Sequence, residues 1–209
     1  MGMANEGLWS QLMELDAAET ARRGACQWDE DSGCLGIWFL NKHYTVDPSE
    51  QKIFREDGSG ASFGDELCIL AYLINSKDIP LANKLTPGQK LVGGQFFFRG
   101  HHSLPTEKLT KAFGGDPKRL LNTAETLNAS VCDFGDASLR VQVLPRLPLT
   151  VMIWGGDEEF ESRSSILFDE TAASQLPLDA LLMAVELAVK ALIAGQNKGE
   201  SLFSLPGAC

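Results

Sequence analysis

The run Leu67-Cys68-Ile69-Leu70-Ala71-Tyr72-Leu73-Ile74, without a charge anywhere in it, limits most sharply what this chain can become. Ser62 stands three residues before Asp65, the spacing of a capping box that starts a helix just ahead of the run. A helix apolar on every side has to be buried, so the rest of the chain must supply its cover. The run is too short to span a bilayer, which takes roughly 18 apolar residues. The longest other candidate, Leu178 to Ala194, is broken by Asp179, Glu186 and Lys190.

The cover is legible in outline. Leu8, Leu12 and Leu15 recur at helical spacing, and Arg22, Arg23 and Gly24 supply a basic last turn and a stop, which predicts an amphipathic opening helix. Cys34 to Leu40, His43 to Val46 and Gln51 to Arg55 are short β-branched and aromatic segments separated by turn residues, as in an antiparallel meander. Phe96-Phe97-Phe98 reads as a strand end. Thr106 to Phe113 and Pro117 to Leu127 have helical spacing. Leu139 to Leu144 and Leu149 to Trp154 read as strands joined through Pro145-Arg146-Leu147-Pro148, each proline marking a sheet edge or corner. Ile166 to Phe168 is a short apolar segment, and Leu178 to Ala194 closes the chain as a helix. Strands and helices come in blocks. The expected architecture is therefore one α+β domain over residues 1–209, with a mainly antiparallel sheet, helices on one face, and residues 196–209 as a frayed tail.

Composition narrows the function classes. With 209 residues, 44% hydrophobic and 22% charged, the chain is globular rather than disordered. Eighteen basic against 28 acidic residues give a formal charge of −10, which argues against a nucleic-acid partner. No secretory or lipidation signal is legible at the N-terminus, so a cytoplasmic location is expected, with no membrane partner. The five cysteines, Cys26, Cys34, Cys68, Cys132 and Cys209, form no C-x-x-C pair and read as reduced thiols; Cys26 and Cys34 flank a turn and could approach each other.

Several motifs could carry chemistry. Gly60-Ala61-Ser62-Phe63-Gly64 fits the G-x-S-x-G pattern of a nucleophile elbow, but five loop residues separate Ser62 from the preceding strand, and the competing reading is a helix N-cap. Gly58, Gly60 and Gly64 suggest a phosphate loop, against which Asp65 and Glu66 would place two like charges. Trp154-Gly155-Gly156-Asp157-Glu158-Glu159-Phe160, with Asp169 further on, gathers carboxylates able to hold a hard cation or tune one another, although the spacing is not that of an EF-hand and equally describes a solvated turn. His101 and His102 are adjacent, so on an extended segment their rings face opposite ways. Arg99 and the isolated Arg146 suit clamping a carboxylate or phosphate, or simply lie in exposed turns.

The order of Gly64-Asp65, Gly93-Gly94, Phe98-Arg99-Gly100, Leu144-Pro145-Arg146-Leu147-Pro148-Leu149, Trp154 to Phe160 and Ile166-Leu167-Phe168-Asp169 resembles an uncharacterised prokaryotic family, the domain of unknown function numbered 3786, over nearly the whole chain from Leu8 to about Ile193. Members are often labelled iron-sulfur proteins, a label this chain does not inherit because it lacks the cysteine-rich cluster. Members also resemble accessory domains near corrinoid and one-carbon enzymes of anaerobes, which implies a cofactor-handling or protein-partner role. The family pattern falls on Asp65, Arg99, Gly100, Pro145, Arg146, Trp154, Gly156, Asp157, Glu159, Phe160 and Asp169.

Together these features favour a non-catalytic accessory domain of anaerobic metabolism that binds a small molecule or cofactor. Its expected site is formed where Arg99, His101, Arg146, Asp157, Glu159 and Asp169 meet, since all lie at predicted strand ends or turns. The alternatives are a hydrolase, either metal-assisted through Asp157, Glu159, Asp169 and a histidine or serine-based through Ser62, and a protein-interaction module. No catalytic residue, metal ligand set, cofactor or oligomeric state is specified.

Overall fold

Two antiparallel sheets and the helices packed against them surround the apolar run. The computed structural model describes residues 5–199, the last three by backbone alone. Along the chain come α1 (Glu6–Met13), α2 (Ala17–Gly24), β1 (Gln27–Asp29), β2 (Cys34–Phe39), β3 (Lys42–Asp47), β4 (Lys52–Arg55), α3 (Phe63–Asn75), β5 (Leu85–Pro87), α4 (Gly94–Phe97), α5 (Thr106–Phe113), α6 (Lys118–Leu121), β6 (Ser130–Cys132), β7 (Ala137–Leu144), β8 (Leu147–Trp154), β9 (Arg163–Asp169), α7 (Ala172–Gln175) and α8 (Leu178–Gly199). The first sheet is the meander β1-β2-β3-β4. The second has the order β5-β9-β8-β7-β6. The α+β class is as expected, with two sheets in place of one. Among the described residues no helix is long and apolar enough to cross a membrane.

Helix α3 is the apolar run. Cys68 to Leu73 are 0–4% exposed, and α8, α1 and α2 all pack on the helix. Burying Ile69, Leu70 and Leu73 contributes about 2 kcal/mol each. The capping box forms: the Ser62 hydroxyl accepts from Asp65 N–H (3.2 Å), and the Asp65 carboxylate accepts from Ser62 N–H (3.4 Å). On the second sheet, Leu139, Val141, Leu149, Val151, Ile166 and Phe168 alternate inward beneath the helices. The sheets are tied by a hydrogen bond from Leu40 N–H to Val143 C=O, 3.0 Å.

Several local expectations are corrected. The opening helix is two, because Asp16 caps a new start by accepting from Glu19 N–H. The strand β1 was not expected; its ladder places Cys34 opposite Asp29 and Gln27 opposite Gly36, so Cys26 and Cys34 lie at opposite ends of that ladder. Phe96-Phe97-Phe98 is no strand end. Gly93 takes a left-handed φ of 76° and starts α4, and a Cβ on Gly94 would fall 2.0 Å from the Gly88 carbonyl oxygen, so only glycine admits this tight turn. The three rings then diverge: Phe98 is buried on Phe168, Phe97 stacks on His102, and Phe96 is exposed. His101 and His102 lie in a 3-10 turn, not an extended segment. The helix expected over Pro117 to Leu127 stops at Leu121 and continues as turns, with the Thr123 hydroxyl donating to Leu120 C=O. Pro148 marks no edge. It lies in the central strand β8, beside the register shift between Gln142 and Leu144, where the ladder is already irregular. Residues 196–199 belong to α8 rather than to a tail, and 200–209 lie outside the described residues.

At the other end of α3, the buried Tyr72 hydroxyl donates to Gly24 C=O (3.0 Å) and accepts from Arg146 N–H (3.0 Å). Burial pushes its pKa upward. Tyr72→Phe leaves both backbone groups without their partner and is expected to lower stability by about 1–3 kcal/mol, and Ser62→Ala by about 1 kcal/mol. Urea unfolding followed by tryptophan fluorescence checks both, and unchanged midpoints would show that neither end of α3 is anchored this way.

Candidate functional site

Two of the expected site residues hold a loop. Residues 76–84 cross from α3 to β5 without regular structure, and their backbone groups need partners. Buried Gln175 takes Lys77 at both backbone groups, accepting from its N–H (3.0 Å) and donating to its C=O (3.2 Å). The Arg146 guanidinium donates to Asp78 Oδ1 (2.5 Å), Ile79 C=O (3.4 Å) and Arg23 C=O (2.8 Å). The other Asp78 oxygen pairs with Arg22. Asp169, 4% exposed, accepts from the N–H groups of Ala82 (3.0 Å), Asn83 (2.7 Å) and Thr171 (3.0 Å) and from the Thr171 hydroxyl (2.7 Å). Burial alone would raise the Asp169 pKa. The hydrogen bonds from Thr171, Ala82 and Asn83 outweigh it, and the net shift is downward.

The other four stand elsewhere. Arg146 precedes β8 and Asp169 ends β9 beside it, whereas Asp157 and Glu159 lie beyond the far ends of these strands. Eight residues of β8 separate the two ends by roughly 25 Å. Asp157 Oδ1 accepts from Glu159 N–H and Phe160 N–H, both 2.8 Å, and these bonds lower its pKa in a solvated turn. Arg99 lies over the Phe96 ring at 5.9 Å, and His101 is exposed beside it. The six residues do not meet in one cleft: they divide among the loop clamps, the acidic turn and the α4 surface.

The structure instead gathers polar groups at the start of α3. Tyr44 and Arg55 are cross-strand partners on β3 and β4, and both reach Asp65 in the first turn of the helix. The Tyr44 hydroxyl donates to Asp65 Oδ2 (3.0 Å), Arg55 Nη2 donates to the same oxygen (3.2 Å), and Arg55 Nε donates to the Tyr44 hydroxyl (3.3 Å). Burial pushes the Tyr44 phenol up to about 12, with Arg55 opposing and Asp65 reinforcing the shift. The hydrogen bond to Tyr44 raises the Arg55 pKa, burial opposes it, and Asp65 adds to the rise. Asp65 and Arg55 of this triad form the floor of a cleft of about 510 Å³ whose other wall is α8, with Leu187, Ala191 and Ala194 as its apolar side and Lys42 and Lys190 at the rim. Three cations face one carboxylate here, in a chain whose formal charge is −10. Sequence reasoning reached Asp65 but missed Tyr44 and Arg55. The signal was the hairpin register, which sets Tyr44 opposite Arg55 once the turn between β3 and β4 is placed.

Ser62 is an N-cap whose hydroxyl is engaged by Asp65 N–H. Among the described residues no three His, Cys, Asp or Glu side chains are grouped to hold a metal ion, and the four described cysteines are free thiols. Burial pushes the Cys26 thiol up to about 12 and raises that of Cys68 as well.

Fold and cleft thus define an α+β domain with a charged floor beneath an apolar-walled cleft. The chain belongs to the family described as "Domain of unknown function (DUF3786)", whose sequence model matches residues 16–191. No curated protein and no solved structure matches it.

Asp169→Asn replaces an acceptor-only carboxylate by an amide that presents N–H to N–H donors, and is expected to cost about 2 kcal/mol or more at pH 7. Because the folded-state pKa is depressed, the stabilisation is complete above the unfolded value of about 4 and is lost as pH falls through the lower folded value. The gap between the urea midpoints of the two proteins should therefore be constant near neutral pH and narrow as pH falls below about 4. A gap that does not narrow there would contradict the clamp's charge.

Proposed function

We propose that this chain is a non-catalytic binding domain that holds a small molecule or cofactor between β3, β4, the start of α3 and α8. Its role is accessory to enzymes of anaerobic metabolism, as the family resemblance implies. The observation that carries the reading is the cleft over the Asp65–Tyr44–Arg55 triad. Its volume of about 510 Å³ lies within the roughly 300–1,000 Å³ usual for small-molecule sites, and it combines apolar walls with a few convergent polar groups. The triad's groups are committed to one another and the Ser62 hydroxyl to a cap, which suits holding a ligand more than moving a proton. The rim lysines and Arg55 favour a ligand with an anionic group and an apolar body.

Arg99 and His101 serve a separate surface in this reading. They accompany Val92 and Phe96, 85% and 79% exposed, and this apolar pair favours a protein-interaction role there as the second reading.

The amphiphilic anion anilinonaphthalene sulfonate is expected to bind the native full chain at one saturable site by fluorescence titration. Lys190→Glu and the cleft-filling Ala191→Trp should each weaken it about tenfold, with thermal unfolding unchanged for the lysine variant. Undiminished affinity in both variants, together with native mass spectrometry showing no small molecule retained by the purified protein, would defeat the proposal.

A further inference from the structure

The second sheet turns Leu139, Val141, Leu149 and Val151 inward, so Arg140 and Thr150, directly paired across β7 and β8, project from its opposite face. A second cavity, of about 180 Å³, lies on that face and shares no lining residue with the cleft. It is lined by Arg140, Thr150, Asn83, Phe134, Leu85 and Pro148, with Cys132 and Asp169 completing the wall. Arg140 is half-buried, yet its guanidinium has neither a hydrogen bond nor an ion pair among the described residues. The Thr150 hydroxyl and the Asn83 side-chain amide are likewise uncommitted to protein acceptors. A partly desolvated cation with two further donors beside it thus stands without an ion-pair partner. The carboxylate in the wall is not its ion-pair partner: Asp169 directs both oxygens to Ala82, Asn83 and Thr171.

We propose that this cavity is a binding site for a short-chain carboxylate. The planar guanidinium fork matches a carboxylate in bidentate fashion, and the Thr150 hydroxyl and Asn83 amide can donate to the same oxygens. Phe134, Leu85 and Pro148 give the remaining wall an apolar character that receives a short hydrocarbon tail. The volume holds about six water-sized groups, which sets the scale at a few heavy atoms. Size and apolar wall together favour a short acid over a bare tetrahedral oxyanion.

Titration calorimetry of the full chain at constant ionic strength, with propionate as probe, tests the site. Propionate should bind saturably with one site per chain. The uncharged isostere propionamide and the Arg140→Gln variant should each weaken binding about tenfold or more. Lys190→Glu, in the cleft, should leave propionate binding unchanged. If Arg140→Gln does not fold, Thr150→Val carries the test, with a loss of about threefold or more. Absence of saturation, propionate binding undiminished in the Arg140 and Thr150 variants, or binding of inorganic phosphate in place of propionate would each overturn the assignment.

Discussion

A helix with almost no exposed side organises this molecule. Because Cys68 to Leu73 are sealed on all sides, α3 cannot offer a polar face to water, and its polar contacts are concentrated at its two ends. At the N-terminal end, Ser62 and Asp65 close the first turn and Asp65 also receives Tyr44 and Arg55 from the meander. At the C-terminal end, the Tyr72 hydroxyl joins α2 to the β7–β8 turn. Each end is thus a junction at which a different sheet is docked to the same helix. The cleft is a by-product of the first junction: burying Asp65 required cationic and phenolic partners, and Asp65 and Arg55 line its floor.

The second junction continues into the loop 76–84. Its clamps come from three separate places late in the chain, the β7–β8 turn, the end of β9 and α7, and all act on backbone groups or on Asp78. Arg146 and Asp169 are therefore conspicuous in sequence as clamps on this loop. A lone arginine between prolines and an aspartate after an apolar strand are what a clamp at a sheet end looks like when its partners are amides and carbonyls that leave no mark in the sequence.

Legibility followed the range of the forces involved. The meander, α3 with its capping box, α5 and α8 were readable because periodicity and capping are local. Errors arose where tertiary contact overrode local preference. The three phenylalanines became a helical turn because Gly93 takes a left-handed φ and Gly94 packs against Gly88, and Pro148 was admitted to a central strand at an irregular point of its ladder. The expected site failed as a unit for a topological reason. Residues at strand ends look alike in sequence, but an antiparallel strand has two ends, and those of β8 and β9 hold Arg146 and Asp169 apart from Asp157 and Glu159. The triad at the cleft escaped notice because Tyr44 and Arg55 become neighbours of Asp65 only through the fold.

The distance along the chain between α3 and its cover has a consequence for biogenesis. Asn75 ends the apolar helix and Leu178 begins the last helix that shields it, so about 100 residues must be translated between the two. At roughly 5–20 residues per second, a ribosome leaves that greasy segment without its final shelter for about 5–20 seconds. The nascent chain thus passes through an interval in which holding chaperones have a well-defined target.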